Sequence, residues 1–210
     1  MKLTFAVLAA AVLASRVFAA DTNSAPATAD AEVKYTKAIE GRTVDILKVL
    51  ALTDTNKAAQ VHDTIIAQYR ALRAWHDEND AKLNASKSDT NATAQIKASL
   101  KTLHDQYLAT LGQNLTPDQV EQVKDKMTYG KVQFTFQGYV NQYPNLTDDH
   151  KAAILKMLKD AREEAMDGGS SDEKTAVFQR YKGRINNYLS KNGIHQEKKK
   201  PAATNAPPAE

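Results

Sequence analysis

The chain has 210 residues, enough for one domain with a real core or two very small ones. Its 42% hydrophobic and 25% charged residues are ordinary values for a soluble globular protein, and the absence of cysteine excludes disulfides and thiol chemistry. The formal net charge of +3 shrinks to +1 once Lys2 and Arg16 are set aside with an N-terminal leader, so no basic face points to nucleic acid; only Lys198-Lys199-Lys200 forms a basic run.

Residues 1–19 carry one Lys, an apolar run and small residues at the end, the pattern of a secretory signal peptide cleaved after Ala19. The run is too short for an ordinary membrane span, so no stable membrane insertion is expected after cleavage. A periplasmic or secreted location follows. Residues 20–31 are small and polar and read as a disordered linker. Residues 32–194 read as a single helical domain, and residues 195–210 as a disordered tail without apolar periodicity.

Within the domain the apolar spacing is helical. Tyr35, Ile39, Ile46, Val49 and Leu50 mark a first helix. Val61, Ile65, Leu72 and Trp75 mark a second, and Ile96, Leu100, Leu103, Tyr107 and Leu111 a third. Val120, Val123 and Met127 give a shorter fourth. Residues 132–140, "VQFTFQGYV", alternate like a strand through Val132, Phe134 and Phe136, yet also space as a helix through Val132, Phe136, Tyr139, Val140 and Tyr143. Nothing else alternates to partner a strand, so helix is preferred, with the strand reading left open. Ile154, Leu158, Ala161 and Ala165 define a later helix; Val177, Tyr181, Ile185, Tyr188 and Leu189 define the last.

"LTDTN", "LTPDQ" and "LTDDH" each place a Thr as N-cap, namely Thr53, Thr116 and Thr147. Pro117 at N1 and Gln119 at N3 complete a capping box at the second. Ser170 and Glu173 spell another box, and Gly193 suits a helix C′ position. The expected fold is all-α, a compact array or bundle of six to seven helices with short turns.

No catalytic residue emerges. There is no nucleophile elbow and no phosphate-binding glycine loop. The pairs His62-Asp63, His76-Asp77 and His104-Asp105 invite a metal reading. His62 and His76, however, lie about 21 Å apart along one helix and cannot share an ion. They are expected as exposed helical pairs, with no metal and no cofactor. "HDEND" at 76–80 reads as a solvated helix end rather than an acid pair across a cleft. Sequons at Asn84, Asn91, Asn114 and Asn145 leave glycosylation open.

Glycine in a helix interior costs about 1 kcal/mol against alanine. Gly183, in "YKGRINNYL", points away from the apolar stripe of the last helix, so core packing cannot require it. The expectation is that the "TYGK" turn or the "DGGSS" loop covers that outer face. Around it, Tyr129, Tyr139, Arg180, Lys182, Arg184 and Asn187 combine flat aromatic faces with forked donors, the tools for holding a carbohydrate. These six are the candidate ligand-binding residues, with a polysaccharide or oligosaccharide as partner.

"KMTYG" at 126–130, "PNLTDDHKAAILKMLKDAREEAMDGGSSDEK" at 144–174, "FQRYKGRINNYLSKNG" at 178–193 and, less specifically, Tyr69, Leu72, His76 and Asp77 in "YRALRAWHDEND" resemble a bacterial secreted family of unknown function, domain of unknown function 3826. The resemblance covers residues 32 to 193. It implies export, sugar binding and a polysaccharide-using bacterium, and it supplies no catalytic residues. "LTPDQ" is also similar to the Leu-Thr-x-x-Gln motif of periplasmic stress chaperones of the Spy type, thin helical hairpins that dimerise into a cradle. Only this copy is exact, since "LTDDH" departs at its last position. The functional expectation is therefore an exported, non-enzymatic carbohydrate-binding protein, with a periplasmic chaperone or envelope-stress protein as the alternative.

Overall fold

Helix starts in this chain are set by short polar side chains that take up orphan backbone N–H groups. Thr116 accepts from the Gln119 amide while the Gln119 side chain accepts from the Thr116 N–H, with Pro117 at the first position. Thr147 makes the same box with His150 in the third position. Ser170 caps the last helix, residues 130–131 open the fifth without a side-chain cap, and the second and third helices are capped by aspartates. Asp54, not Thr53, takes the Asn56 and Lys57 amides, and Asp89 takes those of Asn91 and Ala92. A carboxylate offers the stronger acceptor, and it also meets the positive end of the helix dipole.

The computed structural model describes residues 29–196. It contains seven helices and, among the described residues, no strand: α1 (Ala29–Leu50), α2 (Thr55–Ala85), α3 (Thr90–Gly112), α4 (Pro117–Met127), α5 (Lys131–Gln142), α6 (Asp148–Met166) and α7 (Ser171–Lys191). The leader and most of the tail lie outside the described residues. Helix α1 starts at Ala29, within the stretch read as linker. Among the described residues no helix is long and apolar enough to cross a membrane.

Residues 132–140 are helical. Val132, Thr135 and Tyr139 are buried at i, i+3 and i+7, while Phe134 is 82% exposed, so the apparent alternation was accidental. Gly193, at φ +71°, ends α7 as expected; the Ile194 amide closes back onto the Leu189 carbonyl. The turn before α5 uses two consecutive left-handed residues, Tyr129 (φ +60°) and Gly130 (φ +63°), and the Gly130 amide reaches the Asp125 carbonyl.

Two apolar clusters divide the interior. Ile39, Ile46, Val61, Ile65, Tyr107, Leu111, Val123 and Met127 join α1 to α4. Val132, Tyr139, Ile154, Leu158, Phe178, Ile185 and Leu189 join α5 to α7. Helix α6 links them: its body lies in the second cluster and Met166 at its end in the first. Its largest packing surface is against α7, which runs back along it after the "DGGSS" turn.

That turn needs its glycines. A Cβ on Gly169 would meet the His76 ring at 2.8 Å, and one on Gly168 would meet the Lys174 side chain at 3.1 Å. His76 is pinned at both nitrogens, to Asp80 and to the Asp167 carbonyl, so it has no easy retreat. Gly169→Ala is therefore expected to destabilise by about 1–3 kcal/mol, the usual cost of overpacking. Urea denaturation measures it, and an unchanged midpoint would show that the ring is free to move aside.

Candidate functional site

Helices α5 and α7 diverge above their shared core and leave an open groove of about 730 Å³. Its walls follow from helical spacing. Gln179, Lys182, Gly183 and Asn186 share one face of α7, and Thr135, Gly138, Tyr139 and Gln142 face them from α5. Six side-chain amides line the space: Gln137, Asn141, Gln142, Gln179, Asn186 and Gln196. Phe134 stands at its lip, 82% exposed.

The floor is fixed. Tyr139 is buried and donates its hydroxyl to the Asn186 side-chain carbonyl at 2.9 Å, with the Lys182 carbonyl at 3.2 Å. Burial pushes the phenol up to about 12, so it stays a neutral donor. Its ring lies near-parallel to Tyr143, with centroids 5.9 Å apart. Gln137 donates to Asn141, and Gln196 to the Tyr143 hydroxyl, which orients two of the amides.

Gly138 and Gly183 both line this groove, and a Cβ on either would meet nothing within 4 Å. The expectation that the "TYGK" turn or the "DGGSS" loop covers Gly183 is thus overturned. The first belongs to the α4–α5 junction and the second presses on His76, at the other end of α7. The glycines keep both helix walls low, and the space above them is open.

The six candidate binding residues do not gather at one place. Tyr139 and Lys182 line the groove. Arg180 pairs with Glu164 and Arg184 lies over the Tyr181 ring at 4.5 Å, because both project on the side of Gly183 away from Lys182 and Asn186. Asn187 is exposed outside the groove lining. Tyr129 lies outside the groove, in a separate cleft of about 510 Å³ with Arg42, Ile46, Val49 and Gln122. The residues missed from sequence were the amides and Phe134. The signal was present, since Gln179, Lys182 and Asn186 follow i, i+3 and i+7, but an amide stripe on an exposed face looks like ordinary solvated surface.

The histidines differ from expectation too. His76 and His104 are only 14% and 13% exposed at their side chains, and their partners are not the adjacent aspartates. His104 Nδ1 donates to Asp167 at 2.9 Å, while His76 Nε2 donates to the Asp167 backbone carbonyl at 2.7 Å. Asp167, at the end of α6, thereby ties α2 to α3. From His104 the network continues through Glu163 to Lys124 and Arg162, and from Arg162 to Glu121 and Asp125. The side chains of Asp167 and Glu163 raise His104 to about 9. His62 does meet its neighbour Asp63, at 3.0 Å, together with Glu40.

His76, Asp80 and Glu173 bring three ligand-type atoms within 4.8 Å of one another. The donors around them account for this arrangement without an ion. Nε2 of His76 must carry a proton to meet a carbonyl, and Nδ1 at 2.9 Å from Asp80 is donating, so the ring is an imidazolium held by carboxylates. Ser170 caps α7 as expected, accepting from the Glu173 amide, while the Glu173 side chain accepts from the Gly169 amide and the Ser170 hydroxyl in place of the Ser170 amide. In "HDEND", Glu78 pairs with Lys82 and Asp80 with His76, so these carboxylates face no common cleft.

A family model described as a protein of unknown function (DUF3826) matches residues 36–205, from within α1 into the C-terminal tail. No functionally curated protein matches the chain.

Proposed function

Since the chain belongs to the DUF3826 family of proteins of unknown function, we propose from its own groove that it is an exported, non-enzymatic carbohydrate-binding protein. The supporting observation is the concentration of amides between two glycine-lowered helix walls, beside a bare aromatic ring. A sugar hydroxyl is both donor and acceptor, and a primary amide answers both at once. Phe134 offers an apolar face to the C–H side of a pyranose, and Lys182 offers one cation for a uronate or a ring oxygen. Helix-borne residues and a floor locked by Tyr139 limit the ordering cost of binding. The N-terminal leader pattern supports the exported location. The Leu-Thr-x-x-Gln motif, which favoured a chaperone, serves here as a capping box.

Affinity gel electrophoresis against a panel of neutral and acidic polysaccharides tests this reading. Retardation by at least one of them is expected, weakened in Phe134→Ala. Gly183→Leu is the sharper variant. It should stabilise α7 by about 0.8 kcal/mol through helix propensity and yet abolish retardation by filling the groove. No retardation by any polysaccharide, together with suppressed aggregation of a client protein, would overturn the carbohydrate reading in favour of the chaperone.

A further inference from the structure

A third cavity, about 260 Å³, lies where α1, α2 and the α6–α7 turn meet. Its chemistry is cationic. Arg42 enters from α1, Arg73 from α2 and Lys174 from α7, with the hydroxyl residues Ser170, Ser171 and Tyr35 around them.

Lys174 is the unusual member. It is 4% exposed, yet among the described residues no carboxylate lies within ion-pair distance of it. Its ammonium donates to the Ala165 and Met166 carbonyls, at 3.1 and 3.0 Å, in the last turn of α6. An ammonium has three donors, so one remains. Burial holds the amine down at about 8, against the pull of Asp167 and Glu173 and with the charge of Arg42 adding to it. A buried cation is ordinarily paired; here Asp167 and Glu173 act on it only from beyond ion-pair distance, and Arg42 opposes them.

The acids nearby are engaged elsewhere. Glu32 serves both Arg70 and Arg73, at 3.2 and 2.7 Å. Asp77 stands 3.8 Å from Arg73 and is mostly exposed. Glu173 is turned back onto the Gly169 amide and the Ser170 hydroxyl. Asp167 holds His104. Arg42 has no carboxylate partner among the described residues, and its guanidinium lies 5.9 Å from the Tyr69 ring. The cavity thus carries an excess of positive charge inside a low-dielectric wall, and the first turn of α7 adds the positive end of its dipole.

We propose that this cavity is a binding site for an oxyanion group, with Arg42 and Lys174 as its principal cations and Arg73, Ser170 and Ser171 beside them. It is distinct from the α5–α7 groove: Lys174 and Gly183 are nine residues apart, about 14 Å along the helix. Phosphate, sulfate and the carboxylate of a sugar acid share the required chemistry, and the available volume accommodates any of them.

Thermal shift and titration calorimetry on the whole protein, at fixed ionic strength near pH 6.5, read the site out. Inorganic phosphate, sulfate and galacturonate are each compared with matched chloride. At roughly 10 mM, at least one is expected to raise Tm by about 3 °C, the shift for a ligand some tenfold above its Kd. A response confined to phosphate and sulfate assigns a tetrahedral anion; one confined to galacturonate assigns a sugar acid. Arg42 is exposed, so Arg42→Gln should fold normally and weaken binding by at least about tenfold. Lys174→Met should lose the response too. No oxyanion effect beyond chloride overturns the site, as does an effect that survives in both variants. Polysaccharide retardation by the α5–α7 groove is independent of either result.

Discussion

Replacing Arg162 by methionine is expected to destabilise the protein by roughly 3 kcal/mol, the lower end of the range for breaking a buried ion pair. The Arg162 side chain is 3% exposed and forks across α4, reaching Asp125 and Glu121 at 2.6 Å each, with Glu163 at 3.1 Å. These contacts hold its pKa well above the ordinary arginine range. Removing it leaves three carboxylates facing one another where α4 meets α6. They are between 35% and 46% exposed, so water recovers part of the loss, and methionine refills much of the volume. Without that rehydration the loss would be larger. Arg162→Lys should recover little, because one ammonium cannot bridge two carboxylates in the geometry of a guanidinium fork. The Arg162 Nε has no partner, so the site already carries one imperfect donor. Urea midpoints at constant slope give the value, with Tm falling by about 10 °C. A loss below about 1 kcal/mol would mean that the network fixes how α4 sits on α6 without stabilising the fold.

The helical architecture was legible because its signal is local. Ile154, Leu158, Ala161 and Ala165 repeat at helical spacing and all four are fully buried, and Thr116 and Thr147 cap where their sequence neighbours say they should. Even α5 yielded to the same reading, once Phe134 is seen to face solvent. Local pattern failed where two candidates compete side by side. Thr53 and Asp54 both suit an N-cap, and the carboxylate wins. It failed more widely where partners come from distant segments. His104 and Asp167 are 63 residues apart, and His76 and Asp167 are 91 apart, so each histidine was read with the aspartate beside it.

The candidate site divides along the same line. The helical wheel correctly placed Gly183 away from the core stripe of α7, but no wheel shows what stands opposite that face. Tyr139 and Lys182 meet across the groove because α5 packs on the shared α5–α7 core. Tyr129 was grouped with them for its flat aromatic face, although the left-handed turn at Tyr129 and Gly130 sets it in the cleft beside α1. Arg180 and Arg184 were chosen for their guanidinium groups. At 100° per residue both fall on the side of Gly183 opposite Lys182 and Asn186, facing Glu164 and Tyr181.

The second large effect is on pH dependence, and it isolates the histidine that ties α3 to α6. His104 sits at about 9 in the folded protein against 6.5 in the unfolded chain. A raised histidine stabilises fully below 6.5, and the contribution is lost as pH rises through 9. With Asp167 at 2.9 Å and both side chains largely buried, this limb should amount to about 2 kcal/mol between those pH values, after allowing for solvent screening. Glu163, held down at about 2 by His104, Lys124 and Arg162 against the opposing effect of burial, gives a matching acid limb, with stability lost as pH falls from 4.5 through 2. The His104–Glu163 part of that limb is the same contact seen from its other partner, so it is counted once. Lys174 acts in the opposite sense. Its amine titrates at about 8 when folded and 10.5 when unfolded, so its contribution rises with pH across that interval and partly masks the histidine. The difference between wild type and His104→Gln removes this masking, because Lys174 titrates alike in both. That difference, measured by urea denaturation at pH 6.5 and pH 9, should shrink by about 2 kcal/mol at the higher pH. A difference independent of pH would mean that His104 is neutral when folded, and that Asp167 holds it as a hydrogen-bond acceptor and not as a counter-charge.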